Sequence, residues 1–257
     1  EVSVAQASPR QGAAMVCSFD DGGVTPTAFG VIDPVGDPAV PITGLIAFHN
    51  RVLVLKDGEG VFLLTSSRRT LEQDLFSELR GATLYGHGAT IWRGILWLPT
   101  SRGLYAISPS LTLQQVGPEV TGVASRVSGR GLVTAVAGDN YSLYGVRYAG
   151  STIASVLYKA NVAISGGGVE GIAWHPFLQL AAGAQCASMW TGTPGGNGPK
   201  LLLDRETAAG AFTLYWLKTP ANGRDPRADP NYVYCAGGTL YYSRLTARFS
   251  GINKGWY

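Results

Sequence analysis

The chain has 257 residues, of which 46% are hydrophobic and 14% are charged, and its formal net charge is +3. This length suits one large β domain or two small domains, and so small a net charge argues against nucleic acid as a partner. The sequence contains no run of about 18 apolar residues, so membrane insertion is not expected.

The first 43 residues are predicted to form an N-terminal extended segment. The opening stretch EVSVAQASPRQGAA (1–14) lacks a starting Met and the basic and apolar regions of a signal peptide, so we expect a processed chain or one cut from a longer protein. Residues 31–44 carry three X-Pro steps, each of which removes a backbone donor and favours extended backbone.

A pattern of short apolar strands and tight turns recurs from residue 44 onward. Each copy has an apolar strand, a polar turn, a second apolar strand, a Gly-containing turn and an aromatic-bearing third strand. The copies lie at 44–65, 89–108, 123–148, 169–192 and, more loosely, 211–219 with 231–245. Their spacing of about 40–45 residues is the period of a propeller blade of four short strands.

These repeats predict an all-β fold, a β-propeller of five or six antiparallel blades over residues 44–257. The fourth strands of three blades are placed at 111–117, 153–161 and 200–204. The ring must close, because an open propeller leaves strand edges exposed. Residues 14–32 of the N-terminal segment are the candidate for closing it, by pairing with the strands near 232–249.

One stretch, SSRRTLEQDLFSELRG (66–81), departs from the repeat. Its apolar residues Leu71, Leu75, Phe76 and Leu79 have helical spacing, with Thr70 as a cap and Gly81 as a stop. The spacing predicts a short helical insertion near 67–80, and a strand is the alternative.

Residue types that carry catalysis are present without a catalytic arrangement. SFDDGGVT (18–25) is near the Asp-box pattern of sialidases and predicts a turn. Glycoside hydrolysis needs two carboxylates on either side of the scissile bond, and no pair stands out among the acidic residues. These are Asp20, Asp21, Asp57, Glu59, Asp139, Glu170 and Asp204. The histidines His49, His87 and His175 form no metal-binding motif, so no catalytic, cofactor or metal site is predicted.

The three cysteines, Cys17, Cys186 and Cys235, are an odd number at wide spacing, with no zinc motif. This pattern favours buried free thiols, with one long-range disulfide as the alternative.

Aromatic residues are the strongest candidates for function. Strand alternation places about half of them outside the blade cores, where Trp and Tyr can stack on sugars or anchor a protein interface. Packing between blades is the alternative role for any one of them. The candidate interface aromatics are Trp92, Trp190, Trp216, Trp256 and Tyr257. The last two belong to the tail GINKGWY (251–257), which we expect to dock on a partner.

The segments GLIAFHNRVLVLKDGEGVFLLT (44–65) and TIWRGILWLPTSRGLYAIS (90–108) resemble propeller-type proteins of tailed bacteriophages, found in tails, tail tips and capsid decorations. The resemblance extends approximately over 123–245 and does not include the first forty residues. It implies a non-enzymatic structural component of the virion, with other virion proteins as partners in a symmetric assembly and a glycan or protein of the host surface as a further partner.

Two other functions are compatible with the repeats. One is a carbohydrate-binding or carbohydrate-cleaving propeller, with its site at the mouth of the central channel and an extracellular or bacterial cell-surface location. The other is a general interaction scaffold, because a propeller fold alone does not choose among these roles.

Overall fold

Short antiparallel strands make up most of the computed structural model, which describes residues 2–3, 16–17, 30–31, 35–37, 39–64, 71–72, 75–118, 131–193, 199–208 and 211–219. The described helical structure is limited to two 3₁₀ turns, Ser77–Leu79 and Gly86–Gly88. Neither is long and apolar enough to span a bilayer. The predicted all-β class is therefore confirmed for this part of the chain.

Four antiparallel sheets follow one another along the chain, and we number them I to IV. Three two-residue strands precede them and form a small sheet: β1 (Val2–Ser3), β2 (Val16–Cys17) and β3 (Gly30–Val31). Sheet I contains β4 (Ile42–Phe48), β5 (Arg51–Lys56), β6 (Gly60–Leu64) and β7 (Leu71–Glu72). Sheet II contains β8 (Thr90–Trp92), β9 (Ile95–Thr100), β10 (Gly103–Ile107) and β11 (Leu113–Gln115).

The two later sheets have longer strands. Sheet III contains β12 (Leu132–Gly138), β13 (Leu143–Tyr148), β14 (Ala154–Ser165) and β15 (Gly168–Ala182). Sheet IV contains β16 (Met189–Gly192), β17 (Lys200–Ala208) and β18 (Ala211–Lys218). In every sheet each strand pairs with the strand next to it in sequence, so each sheet is a simple meander.

Tight turns join the strands of these meanders. His49 and Asn50, at φ 44° and 60°, connect Phe48 to its paired residue Arg51. Arg93 at φ 51° and Gly94 at φ 75° do the same between β8 and β9. Two consecutive residues of positive φ give the two-residue turn whose twist matches that of the flanking strands.

Consecutive sheets pack face to face, and the core lies between them. Sheets I and II share a cluster that includes Leu53, Leu55, Leu96 and Leu98, all buried. Sheets II and III share a second cluster, in which the Trp174 indole N–H of sheet III donates to the Val116 carbonyl after sheet II at 2.7 Å. Sheets III and IV share a third, which includes Tyr144, Leu157, Leu201 and Leu203. The burial of apolar side chains between sheets is therefore the main contribution to the stability of the fold.

The outer face of sheet I is covered by the segment that precedes it. Val35 packs on Val54 and Phe62, and all three are buried. The Lys56 side chain is fully buried and donates to the carbonyl oxygens of Val35 and Asp37. Glu59 completes this site with an ion pair to Lys56 at 2.5 Å. The carboxylate and two carbonyl oxygens replace the water that a buried ammonium loses.

The predicted helical insertion near 67–80 is wrong at Leu71–Glu72 and is limited to a 3₁₀ turn at Ser77–Leu79, while 67–70 and 73–74 lie outside the described residues. Leu71–Glu72 is the fourth strand of sheet I, paired with Leu63 and Leu64, and the helical part is the 3₁₀ turn Ser77–Leu79. Phe76 and Leu79 are nevertheless buried in the cluster between sheets I and II. The apolar spacing therefore reflects burial, but an edge strand followed by a tight turn achieves it without a helix.

The fourth predicted repeat, 169–192, does not begin a sheet. Its first part is β15, the last strand of sheet III, and its end is β16, the first strand of sheet IV. The reason is the long β14–β15 hairpin, with strands of 12 and 15 residues. The predicted fourth strand at 111–117 contains β11, as expected. Those at 153–161 and 200–204 instead contain parts of the third strand of sheet III and the middle strand of sheet IV.

Three short stretches of the N-terminal segment pair with one another. Val16–Cys17 lies between Val2–Ser3 and Gly30–Val31 in the small sheet. Residues 231–249, which include the predicted partner of 14–32 and the end of the fifth repeat, lie outside the described residues. Closure of the ring by these segments stays a prediction.

Candidate interaction surface

The outer face of sheet IV carries a row of large apolar side chains. The strand register pairs Trp190 of β16 with Leu202 of β17, and Leu202 with Trp216 of β18. Directly paired residues of antiparallel strands share a face. The neighbouring residues Leu201 and Leu203 point the other way and are buried against sheet III.

Most of this outer face is accessible to solvent. Trp190 is 56% exposed, Trp216 is 54% exposed and Leu214 is 65% exposed, whereas Leu202 is half-buried between the two tryptophans. We call these four residues the aromatic surface. Contiguous exposed apolar groups of this size mark interaction sites on soluble proteins. Two strand spacings separate Trp190 from Trp216, so their backbones are about 10 Å apart.

The orientation of Trp190 is set by Gly192, two residues later on the same strand. A Cβ atom added at Gly192 would overlap the Cη2 and Cζ2 atoms of the Trp190 indole, so the ring lies directly over the glycine backbone. One face of the indole is therefore against the sheet. The exposed area of Trp190 belongs to the rest of the ring, including its opposite face.

A lysine lies between the two tryptophans. Lys200 of β17 is paired with Gly192, which places it beside the Trp190 ring. Its ammonium nitrogen lies 4.3 Å from the centroid of the Trp216 ring. A cation at this distance is attracted by the negative face of the ring. Among the described side chains, Lys200 thus places a positive charge beside the aromatic surface, where an indole holds it.

The acidic residue beside this surface is engaged in the turn before β16. Asp204 Oδ1 accepts the backbone N–H groups of Ala187 and Ser188, each at 2.9 Å, and the Cys186 thiol at 3.2 Å. Asp204 therefore fixes the chain that leads into β16 and so positions Trp190.

The thiol of Cys186 has no chemistry to offer at this turn. Burial raises its pKa far above the usual range, and the hydrogen bond to Asp204 and the charge of that carboxylate raise it further. A buried thiol that stays protonated is a weak nucleophile. The predicted free and buried state is confirmed for Cys186, while the side chains of Cys17 and Cys235 lie outside the described residues.

Three of the other carboxylates considered for hydrolysis hold turns or a buried lysine. Asp57 Oδ1 accepts the Leu84 N–H at 2.8 Å. Asp139 accepts the Tyr141 and Ser142 N–H groups at 2.7 and 2.6 Å and the Tyr144 hydroxyl at 2.9 Å. Glu59 pairs with Lys56. Each of these carboxylates has a structural role that accounts for its position.

The remaining acidic candidates and the histidines are placed apart from this surface. Glu170 lies exposed on β15, and Asp20 and Asp21 fall outside the described residues. His49 bonds the Gly94 carbonyl at 2.9 Å, and His87 lies in the second 3₁₀ turn. His175 is paired with Lys159 in sheet III. Within the described ranges, no three His, Cys, Asp or Glu side chains are arranged to hold a metal ion.

The predicted interface aromatics divide into three groups. Trp190 and Trp216 lie on the aromatic surface. Trp92 is only 7% exposed and lies between sheets II and III, where its indole N–H donates to the Asp139 carbonyl oxygen. It is therefore part of an internal interface and does not lie on the surface. Trp256 and Tyr257 are outside the described residues.

Sequence reasoning missed Lys200, Gly192 and Leu214 as members of this site. A signal was present, since Lys200 and Leu202 alternate along one strand in step with Leu214 and Trp216 on the next. That signal needs the register between β17 and β18, which a single sequence does not supply.

No family model matches the chain, and no curated protein matches its sequence. One similar solved structure is the extracellular domain of a putative one-component system from B. thetaiotaomicron, with 11% sequence identity and a TM-score of 0.37. The match covers 79% of this chain but 32% of that chain, so this chain spans about a third of that domain's length. A likeness of this degree carries no argument about function.

Proposed function

We propose that the chain is a non-enzymatic structural and attachment protein of a tailed-phage virion, and that it binds its target through the aromatic surface of sheet IV. The observation that carries this proposal is the exposure of Trp190, Trp216 and Leu214 together on one sheet face. Exposing so much apolar area to water is costly unless a partner covers it. The virion setting rests on the resemblance of residues 44–108 to phage propeller proteins.

In this proposal, sheets I to IV are successive blades of a propeller. Each is a meander of neighbouring strands, and each packs on the next, as blades do. In support, β12 of sheet III contacts β8 and β9 of sheet II and β16 of sheet IV, so the first strands of these three sheets lie near one another. The stack is a rigid support that holds the aromatic surface in a fixed position.

Weak binding at one surface would suffice in a symmetric assembly. Several copies joined in one particle raise the effective concentration at the target, so overall attachment is much stronger than each single contact. This accounts for a shallow surface with few polar anchors.

Particles that contain the chain provide the test. Electron microscopy of intact particles is expected to show several copies at symmetric positions, each with sheets arranged radially about an axis. Particles carrying both Trp190→Ser and Trp216→Ser are expected to contain the chain in normal amount. Their rate of adsorption to host cells is expected to fall by about tenfold or more.

A matched control is available on sheet II. Ile91 is also an exposed apolar residue, at 45% exposure, and Ile91→Ser particles are expected to adsorb normally. If the chain occurs only as a single free protein, or if the double variant adsorbs as well as the control, the proposed function is wrong.

A further inference from the structure

We infer that the target of the aromatic surface is an acidic polysaccharide, with sugar rings stacked on Trp190 and Trp216 and a sugar carboxylate paired with Lys200. This inference rests on the proposed function, because it names the chemistry of the target bound at the same surface. It also moves the glycan site away from the channel mouth, where the sequence analysis expected it.

The fixed orientation of Trp190 is the first support. Because the ring lies over Gly192, its open face is presented in advance and does not have to be ordered on binding. Pre-orientation lowers the entropic cost of association. The face of an indole carries negative charge density, and the C–H groups on the flat side of a pyranose carry the complementary partial positive charge.

The layout of the surface is the second support. The backbones of Trp190 and Trp216 are about 10 Å apart, with the half-buried Leu202 between them. The Trp190 ring lies over Gly192, so the result is a shallow surface with an indole on each side and Lys200 between them. A linear chain of linked sugar rings can lie along such a surface and contact both indoles.

The charge of the surface selects an acidic sugar over a neutral one. Lys200 lies beside the Trp190 ring and 4.3 Å from the Trp216 ring, so its ammonium is next to both stacking positions. Asp204 is the acidic residue of this face among those with described side chains, and its Oδ1 already accepts three hydrogen bonds from residues 186–188. Because Asp204 is directed to the turn before β16, the Lys200 ammonium can pair with a carboxylate of the target.

A protein partner is the less favoured occupant. A stable interface between two proteins buries about 1,000 Å² or more of accessible surface, and its anchor side chains fill pockets in a well-packed centre. The aromatic surface instead presents exposed indoles on the outside of a sheet. The interfaces within the molecule show the contrast, since Trp92 and Trp174 are buried there with their indole N–H groups bonded to carbonyl oxygens.

Titration with oligogalacturonate and with its carboxyl-reduced, neutral counterpart tests the inference on the full chain. Calorimetry is expected to show binding of the acidic form, about tenfold weaker binding of the neutral form, and weakening of acid binding by added salt. Trp190→Ala and Lys200→Met are each expected to weaken binding of the acidic form by about tenfold or more. Ile91→Ala, which changes an exposed residue on another sheet, is expected to bind normally.

Gly192→Ala provides a readout that a merely apolar patch would not give. The added methyl group displaces the Trp190 ring from its position over residue 192 but leaves the indole in the protein. We therefore expect weaker binding of oligogalacturonate and an unchanged circular dichroism spectrum. Absence of oligogalacturonate binding, equal binding of the neutral form, or undiminished binding by Trp190→Ala would overturn the inference. If adsorption still depends on Trp190 and Trp216 in that case, the proposed function stands and the target is not an acidic polysaccharide: equal binding of the neutral form indicates a neutral glycan, and binding of neither form indicates a protein.

Discussion

Trp92 and Trp190 lie over glycines in the same way but end in opposite environments. The Trp92 ring lies over Gly138, which belongs to the next sheet, and the Trp190 ring lies over Gly192 of its own strand. A glycine on a facing sheet lets the indole join two sheets, with Arg93 stacked on the ring at 4.5 Å. A glycine on the same strand leaves the indole on the surface. The location of the glycine thus separates a structural tryptophan from a candidate binding one.

The largest expected difference in the free energy of unfolding is between Trp92→Ala and Trp190→Ala. Trp92→Ala should lower the free energy of unfolding by about 3–5 kcal/mol, because it leaves a cavity between sheets II and III. Trp190→Ala should lower it by about 1 kcal/mol, because more than half of the side chain is exposed to water and no cavity forms. Urea unfolding followed by circular dichroism measures both. Similar losses in the two variants would mean that Trp190 is part of a packed interface.

Substituting the glycines should give a smaller effect of the same kind. Gly138→Ala places a methyl group against a ring that cannot move, so we expect a loss of about 1–3 kcal/mol. Gly192→Ala displaces a ring that can swing into solvent, so a loss below about 1 kcal/mol is expected. Thermal unfolding of both variants makes the comparison. A larger loss for Gly192→Ala than for Gly138→Ala would contradict it.

Two lysines repeat the contrast between inside and surface. Lys159 is buried between the rings of Tyr144 and Phe177, at 5.9 and 5.8 Å, and burial lowers its pKa. Because the folded protein disfavours the ammonium, the cost is fully present at neutral pH and fades as pH rises toward the unfolded value. Lys159→Met should therefore abolish this pH dependence of the free energy of unfolding, whereas Lys200→Met should leave it unchanged.

Urea titrations at pH 7 and pH 10 are sufficient to measure this. The wild-type protein should gain stability relative to Lys159→Met between the two values, since unfolded lysine loses its proton only near pH 10.4. An equal change in stability between the two pH values for the wild-type protein and Lys159→Met would contradict the prediction.

The smallest expected effect concerns His175, which pairs with Lys159 across β14 and β15. Burial lowers the pKa of His175, and the charge of Lys159 lowers it further. Unfolded histidine takes up a proton near pH 6.5, so stability should fall as pH drops below that value. His175→Gln should remove this dependence of stability on pH. We expect the wild-type change in the free energy of unfolding between pH 7 and pH 5 to be less than about 1 kcal/mol. Melting temperatures at the two pH values measure it.

Local sequence signals account for the features that could be predicted. The all-β class follows from alternating apolar residues and from turn residues such as Asn50 and Gly94, which act over a few positions. The spacing of Leu71, Phe76 and Leu79 predicts a helix, but residues 71–72 form a strand, and Phe76 and Leu79 become buried at a 3₁₀ turn.

Long-range contacts account for what could not be predicted. Trp92 and Trp190 each lie on the short first strand of a sheet, and nothing nearby in sequence shows which of them another sheet covers. The burial of Trp92 depends on Gly138, which is 46 positions later. The position of Lys200 beside the aromatic surface depends likewise on the register of three strands.

The meander order of the sheets has a consequence for how the protein is made. Every pairing within sheets I to IV joins strands that are adjacent in sequence, so the loops that must close are short and their entropic cost is low. A growing chain can finish one sheet soon after its last strand leaves the ribosome and then lay the following sheet against it. Synthesis of this protein therefore adds a completed layer at a time, and a chain stopped after sheet III keeps the interfaces between sheets I, II and III whole.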